Sequence, residues 1–181
     1  MAKPRSAIAV RGTTKTLIEG ALKAFDVKIK SQQTSTEFDE VIDFTQLHSE
    51  ELGGNEGEDA WHVWQVGDYA VLGDLSLACA RDQEALNALS SELGEVTAAL
   101  LDTSFGDLLF AVHDDGKLKR MLAIEDDELY EEGSPVIEER GHFDEDFDEE
   151  ALERLWTARG LPTFEHDPLD GPFEMVVVEL S

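Results

Sequence analysis

The sequence has almost none of the features that mark secreted, membrane-spanning or zinc-stabilised proteins. Cys79 is its single cysteine, which excludes an internal disulfide framework and a cysteine-rich zinc site. No apolar run is long enough to span a membrane as a helix, and residues 1–11 lack the apolar core of a secretory signal. We therefore expect a cytoplasmic protein that has no membrane partner.

Basic residues are also scarce. The chain of 181 residues has 14 lysines and arginines against 41 aspartates and glutamates, which gives a formal net charge of −27. Because such a surface repels phosphate groups, we expect no nucleic-acid partner. Hydrophobic residues still make up 41% of the chain. A chain of 181 residues with this content is long enough to form a buried core. We expect a single domain over residues 1–181.

The acidic residues are unevenly distributed. Residues 1–30 carry seven basic and two acidic side chains, whereas residues 31–181 carry seven basic and 39 acidic ones, a net charge of −32. Two interpretations are open. In the first, the acids keep the protein in solution, or residues 1–15 form a flexible basic arm that folds back onto the acidic body. Alternatively, the acids form a face for a basic macromolecule. Composition alone does not separate the two.

Turn residues between apolar runs predict two hairpins. Gly67-Asp68 separates one pair of strand-like runs, and Asp114-Asp115-Gly116 separates another. Trp61 and Trp64 lie three residues apart on one of these strands, so their side chains should enter the core on opposite faces. Further strands are expected over residues 75–80, 95–101 and 173–180, and one is expected to begin at residue 27.

Helix signals occur in three segments. Thr16 and Glu19 fit a capping box at the start of a helix over residues 16–25. Two further helices are each bracketed by an N-terminal aspartate and a C-terminal glycine: Asp82 and Gly94, and Asp148 and Gly160. Hairpins interrupted by helices predict an α+β fold, with a mostly antiparallel sheet of five to seven strands and two or three helices packed mainly on one face.

Residues 125–147 are too acidic, and too poor in apolar periodicity, for a packed element. We interpret them as a long acidic surface connection with one short strand around Val136–Ile137. An EF-hand loop that starts at Asp144 would need glycine and glutamate where the sequence has Glu149 and Leu155. The five histidines form no metal-ligand pair at helix or strand spacing, and Cys79 is expected to be a buried structural thiol. We expect no metal, no cofactor and no catalytic residues, although the sequence leaves enzymatic activity open.

One stretch resembles a known protein class. Asp114-Asp115-Gly116-Lys117-Leu118-Lys119-Arg120 is followed by Glu131-Glu132-Gly133-Ser134-Pro135-Val136-Ile137-Glu138-Glu139. A hairpin that ends in Gly-x-Leu-x-Arg and leads to an acidic segment around Gly-x-Pro is similar to a pattern in small acidic bacterial proteins, some of which resemble immunity proteins of polymorphic toxin systems. The resemblance covers about thirty of the 181 residues. It implies a non-enzymatic inhibitor that binds a cognate toxin.

The leading hypothesis is therefore a non-enzymatic acidic binding protein, immunity-like, that occludes a basic protein partner such as a toxin. Buried aromatic anchors would supply affinity and carboxylates would steer the encounter. Two alternatives stay open: a small enzyme or ligand-binding domain with a pocket between sheet and helices, and a nucleic-acid mimic. The sequence gives no oligomeric state. The candidate partner-binding residues are Asp126, Asp127, Glu131, Glu132, Glu138, Glu139, Asp144, Glu145 and Asp146.

The charge also predicts how stability responds to solution conditions. Neighbouring carboxylates repel one another at neutral pH, and salt screens that repulsion. We therefore expect moderate salt, and mild acidification towards pH 5, to stabilise the fold.

Overall fold

The computed structural model describes residues 4–140, 147–164, 167–168 and 171–180. These residues form nine strands and four α-helices, and short 3₁₀ turns occur at Glu50–Leu52, Cys79–Arg81 and Ile137–Glu139. The elements in chain order are β1 (Arg5–Arg11), α1 (Thr14–Ala24), β2 (Lys28–Ser35), α2 (Phe38–His48), β3 (Glu58–Val66), β4 (Tyr69–Gly73), α3 (Gln83–Leu93), β5 (Val96–Asp102), β6 (Asp107–Asp114), β7 (Lys117–Glu125), β8 (Glu128–Gly133), α4 (Glu149–Ala158) and β9 (Phe173–Glu179).

The strands form one antiparallel sheet in the order β2-β9-β3-β4-β1-β5-β6-β7-β8. The first strand, β1, lies in the middle, where Ala7 pairs with Gly73 of β4 and with Ala99 of β5. Antiparallel pairing places successive turns at alternate ends of the sheet. The turns at 103–106 and 126–127 lie at one end, and those at 67–68 and 115–116 lie at the other.

Helices cover both faces of the sheet. Leu17 of α1 and Leu86 of α3 belong to one buried cluster, whereas Val41 of α2 and Trp156 of α4 belong to the cluster on the opposite face. The expectation that the helices pack mainly on one face is therefore wrong. Its physical reason is that the central strands are apolar on both faces, as in Ala70–Leu72, so each face needs a cover.

The tryptophan pair and two of the three predicted helix caps behave as their spacing predicts. Trp61 and Trp64 are both buried, one in each of the two clusters. Asp82 accepts a hydrogen bond from the Ala85 N–H at 3.0 Å, and Asp148 accepts one from the Ala151 N–H at 2.8 Å. These bonds satisfy donors that a helix start leaves free. In α1 the cap is Thr13 instead of Thr16, so the helix begins two residues earlier than predicted.

The α+β class is confirmed, but the element counts are wrong. The described residues hold nine strands where five to seven were expected, and four helices where two or three were expected. The additional elements include α2 and the edge strand β8, which replaces the beginning of the predicted connection over residues 125–147. Val136 and Ile137 belong to a 3₁₀ turn and its cap, not to a strand.

Two further expectations are corrected. Residues 5–11 form the central strand of the sheet instead of part of a flexible arm, because Ala7–Val10 is a run of small and apolar side chains that is buried on both faces. Residues 75–80 turn away from the sheet after β4. The Asp74 Oδ2 atom accepts hydrogen bonds from the N–H groups of Ala78 and Cys79 at 2.7 and 3.0 Å, which holds the turn in place.

None of the helices in the described ranges has both the length and the apolar composition needed to cross a membrane.

Candidate functional site

Acidic side chains collect at one end of the sheet. The strand registers place the starts of β3, β6 and β8 beside the ends of β5, β7 and β9, and acidic residues occupy these positions. We call this region the acidic end and define it by Glu50, Glu51, Glu58, Asp59, Asp102, Asp107, Glu125, Asp126, Asp127, Glu128 and Glu179. Within the part of the chain that the structure describes, the basic residues nearby are Arg5, Lys28, Lys30 and Arg81.

An open cleft of about 930 Å³ lies at this end. Its lining combines carboxylates with apolar side chains. Phe105, at the tip of the β5–β6 turn, is 78% exposed, and Leu52 and Leu180 are 40% and 46% exposed. We call this the acidic cleft. Exposed apolar groups ringed by charge are typical of an interaction surface rather than of a solvated loop.

The floor of the acidic cleft is built on two aspartates. The Ser76 hydroxyl lies 2.8 Å from Asp59 Oδ2 and 3.1 Å from Asp74 Oδ2. Asp74 is fully buried, and this burial raises the pKa of its carboxyl group. A hydroxyl has one hydrogen to donate, so the second contact is a hydrogen bond only when a carboxyl group carries a proton. The floor is thus a close-packed structure in which Asp59 faces the cleft.

One wall depends on Glu58. This buried carboxylate accepts hydrogen bonds from Lys30 Nζ and, at 3.1 Å, from Asn55 Nδ2, and it lies 2.9 Å from His48 Nδ1. The contact with Lys30, and then that with His48, lower the pKa of Glu58 to about 2. Glu58 is therefore ionised. Its contacts link β2, α2 and β3, and Lys30 balances its negative charge.

Arg81 matches two further carboxylates. Its Nη2 lies 3.1 Å from Asp102 and 3.4 Å from Asp107, across the β5–β6 pair. After these pairs are made, many carboxylates of the acidic end have no ion pair among the described residues: Glu50, Glu51, Asp59, Glu125, Asp126, Asp127, Glu128 and Glu179. These groups are the unmatched charge of the site.

The opposite end of the sheet has a more even balance of acidic and basic residues, and its two almost buried arginines, Arg120 and Arg159, are ion-paired within the fold. We call it the ion-paired end and define it by Arg11, Asp68, Glu95, Asp114, Asp115, Lys117, Lys119, Arg120, Glu132, Glu138, Glu139 and Arg159. Arg120 is 4% exposed, and its Nε and Nη2 donate to the two Glu139 oxygens at 3.0 and 2.8 Å. Arg159 donates to Glu95, to Glu138 at 2.9 Å and to the Thr97 hydroxyl at 2.9 Å.

The predicted partner-binding residues are divided between these regions. Asp126 and Asp127 form the β7–β8 turn at the acidic end, with φ of 51° and 61°. Glu131 and Glu132 lie exposed on the edge strand β8, and Glu131 also accepts from Arg120 at 3.1 Å. Glu138 and Glu139 are engaged at the ion-paired end. The remaining candidates, Asp144, Glu145 and Asp146, lie outside the described residues.

The structure also explains the stretch that carries the resemblance. Gly133 has a φ of +81°, and a Cβ there would lie 1.9 Å from the carbonyl oxygen of Lys119. Arg120 Nη1 donates to the Gly133 carbonyl at 3.1 Å while its other nitrogens hold Glu139. The arginine and the glycine of the pattern therefore fasten residues 133–139 to β7. This is a structural role with no chemistry of its own.

Sequence reasoning missed Phe105 and the carboxylates on β3, β5 and β6. The available signal was Phe105 itself, an aromatic residue inside the turn Thr103-Ser104-Phe105-Gly106, where polar residues are usual. The convergence of distant strand ends depends on long-range pairing, which no local pattern reports. Among the described residues, no group of three or more histidines, cysteines, aspartates or glutamates is arranged to hold a metal ion.

Comparisons with known proteins do not assign a function. No family model, no curated protein and no solved structure matches the chain. A function for this protein therefore has to be inferred from the geometry and charge of its own residues.

Proposed function

We propose that this protein is a non-enzymatic binding protein that occludes a basic protein partner with its acidic end. The observation that carries the proposal is the position of Phe105, a 78% exposed aromatic side chain, in the same cleft as Glu50, Glu51 and Asp59, which have no ion pair among the described residues. An isolated protein gains nothing from either feature, since the charges repel and the ring is in water.

The two features have separate physical roles in binding. Concentrated negative potential accelerates the encounter with a positive surface and excludes acidic partners. Affinity comes mainly from an apolar anchor that becomes buried at the centre of the interface. The partner surface that fits this arrangement has lysine or arginine side chains around an apolar recess or ridge, which would meet Phe105, Leu52 and Leu180.

Occlusion follows from the chemistry of such a partner. A basic face on a protein commonly contacts nucleic acid or another polyanion. An acidic protein seated on that face would exclude the polyanion by occupying the same charges. The resemblance to immunity proteins supports this direction and suggests a toxin as the partner. No observation among the described residues favours the nucleic-acid mimic specifically, so we propose a protein-binding surface of general acidic character.

A pair of matched variants tests the proposal by pull-down from a lysate of the source cells at low and at moderate salt. The test variant combines Phe105→Ala, Asp126→Asn and Asp127→Asn. The control combines Ile137→Ala, Asp114→Asn and Asp115→Asn, which makes the same changes at the ion-paired end, where Ile137 is 69% exposed. Asparagine tolerates the positive φ of three of these aspartates, so both variants should fold.

The expected result is a basic protein that the wild type and the control retain and that the test variant loses. The loss should persist at moderate salt, because the phenylalanine contact does not depend on ionic strength. Equal retention by all three proteins, or loss by the control, would overturn the proposal. Retention of an acidic or neutral protein alone would overturn it as well.

A further inference from the structure

The two edge strands of the sheet differ in how they are protected against further pairing. At one edge, β2 carries Lys28 and Lys30, and its register with β9 shifts between Ile29 and Ser31. Lysines and bulges on an edge strand hinder the addition of another strand. At the other edge, β8 (Glu128–Gly133) carries no lysine, and its register with β7 is continuous. The edge of β8 is therefore the less protected of the two.

The turn that precedes β8 determines which of its backbone groups point outwards. Residues 126–127 both have positive φ, as a type I′ turn requires, and Glu125 pairs with Glu128 directly across it. The residues that close such a turn exchange both of their hydrogen bonds, and hydrogen-bonded and non-bonded pairs then alternate along the ladder. The N–H and C=O groups of Leu129 and Glu131 therefore point away from β7.

This outer edge is open in the part of the chain that the structure describes. There β8 is the last strand of the sheet, and no backbone hydrogen bond outside the ladder with β7 reaches residues 128–133. The side chains of Leu129 and Tyr130 point to opposite faces of the sheet and are 45% and 46% exposed. The edge thus offers free backbone donors and acceptors with an apolar side chain on each face.

The charges on this edge select its occupant. β8 carries Glu128, Glu131 and Glu132, and the three residues before it are acidic as well. Glu131 meets Arg120 at 3.1 Å, whereas Glu128 and Glu132 have no ion pair among the described residues. Two copies of β8 side by side would bring these glutamates against one another, but lysine or arginine on a neighbouring strand would be attracted.

We propose that the edge of β8 binds an extended segment of a basic protein as an added strand. Strand addition derives its affinity from main-chain hydrogen bonds and its specificity from alternate side chains. The segment that fits alternates lysine or arginine with β-branched residues. Its basic side chains would lie beside Glu128 and Glu132 on one face, and its β-branched side chains beside Leu129 on the other.

This inference goes beyond the proposed function, because it concerns the edge of the sheet and not the acidic cleft. The edge shares only Glu128 with the acidic end, so binding there does not require Phe105. A failure of either proposal leaves the other in place.

The test is a titration of ¹⁵N-labelled protein with the capped hexapeptide Lys-Val-Lys-Val-Lys-Val. Its control has the same side chains but carries N-methyl groups on the two central residues, which removes a donor from each edge of the peptide. We expect saturable binding of the first peptide with a Kd of about 1 mM, and binding of the control that is weaker by about tenfold or more. The amide protons of Leu129 and Glu131 should exchange with water several-fold more slowly at saturation.

Three variants locate the binding. Glu132→Gln should weaken it about threefold, because a cross-strand charge pair is lost. Glu37→Gln is the matched control at the opposite edge, where the Ser35 hydroxyl of β2 donates to the Glu37 carbonyl, and it should leave binding unchanged. Phe105→Ala should leave it unchanged as well, which separates the edge of β8 from the acidic cleft.

Equal binding of the two peptides, or no saturation with either, would overturn the proposal, since charge alone would then account for any association. Slower exchange confined to residues 28–35 would overturn it by placing the peptide at the other edge. Slower exchange at β8 in protein alone, on raising its concentration, would show that a second copy occupies the edge and would also overturn it. These measurements use the wild-type protein, so they decide the question even if a variant does not fold.

Discussion

The two ends of the sheet use charge in opposite ways. At the ion-paired end, Arg120 and Arg159 are almost buried, and each is held by two carboxylates. At the acidic end, carboxylates remain unmatched among the described residues around the exposed ring of Phe105. Charges that are ion-paired within the fold hold its elements in place, whereas unpaired like charges repel one another and lower the stability of the folded state. The net charge of a protein therefore does not show which of its carboxylates are neutralised within the fold, whereas the pairing of individual charges does.

The largest effect should come from breaking the ion-paired end. Arg120→Ala leaves Glu139, whose side chain is 10% exposed, without its cation, and removes the donor that holds the Gly133 carbonyl. Removal of one partner from a buried pair costs about 3 to 5 kcal/mol. We expect a loss of that size in the free energy of unfolding, measured by denaturant titration. Arg154→Ala is the control. It removes an exposed pair with Glu150 on α4 and should have little effect. Equal effects of the two variants would contradict a structural role for this end.

A pH titration separates the repulsion at the acidic end from the effect of two buried histidines. Burial lowers the pKa of His113 to about 4, and burial together with Arg5 lowers that of His62 to about 3. Between pH 6.5 and these values the unfolded chain binds more protons than the folded protein, so acidification destabilises the fold. The two histidines together should give a loss of about 3 kcal/mol in unfolding free energy between pH 6.5 and 5.

This expectation has the opposite sign to the one that the net charge gives. His113→Gln should make the pH dependence shallower, because Gln does not titrate. Stability that rises from pH 6.5 to 5 would mean that relief of carboxylate repulsion, together with protonation of the buried Asp74, outweighs the histidines.

The smallest effect concerns salt. Screening acts over about 10 Å at 0.1 M ionic strength, which is sufficient to weaken repulsion between neighbouring surface acids. We expect the thermal midpoint of the wild type to rise from low to moderate salt. Neutralisation of Asp126 and Asp127 to asparagine should reduce that rise, whereas neutralisation of Asp114 and Asp115, which lie beside Lys117, should not. A midpoint that falls with salt in the wild type would show that attractive pairs dominate at both ends.

Local signals predicted the parts of the fold that are determined locally. The turns at Gly67-Asp68 and Asp115-Gly116 and the caps Asp82 and Asp148 form where the sequence indicates, because each depends on backbone conformation or on a hydrogen bond within a few residues. Strand β8 was missed for a physical reason. Its residues are exposed on both faces at the edge of the sheet, so they show no alternation of apolar and polar side chains.

The sequence predicts less of the candidate site than of the fold. Acidity alone selects Asp126 and Asp127, which form the β7–β8 turn. Glu138 and Glu139 look equivalent in sequence, but the structure uses them to bind Arg159 and Arg120. Local sequence does not show which acids meet a buried arginine, because the partners lie about twenty residues away along the chain and on different elements.

The central claim is that the acidic end, and not the acidity of the whole surface, binds a basic partner. Its most direct test is a titration of ¹⁵N-labelled protein with an amphipathic helical peptide of lysine and leucine, followed by backbone amide shifts. We expect shifts concentrated at residues 50–52, 76–78, 102–107 and 125–128, with affinity reduced about tenfold by Phe105→Ala and unchanged by Ile137→Ala. Shifts of equal size at residues 114–117 and 137–139, or an affinity that does not depend on Phe105, would contradict it.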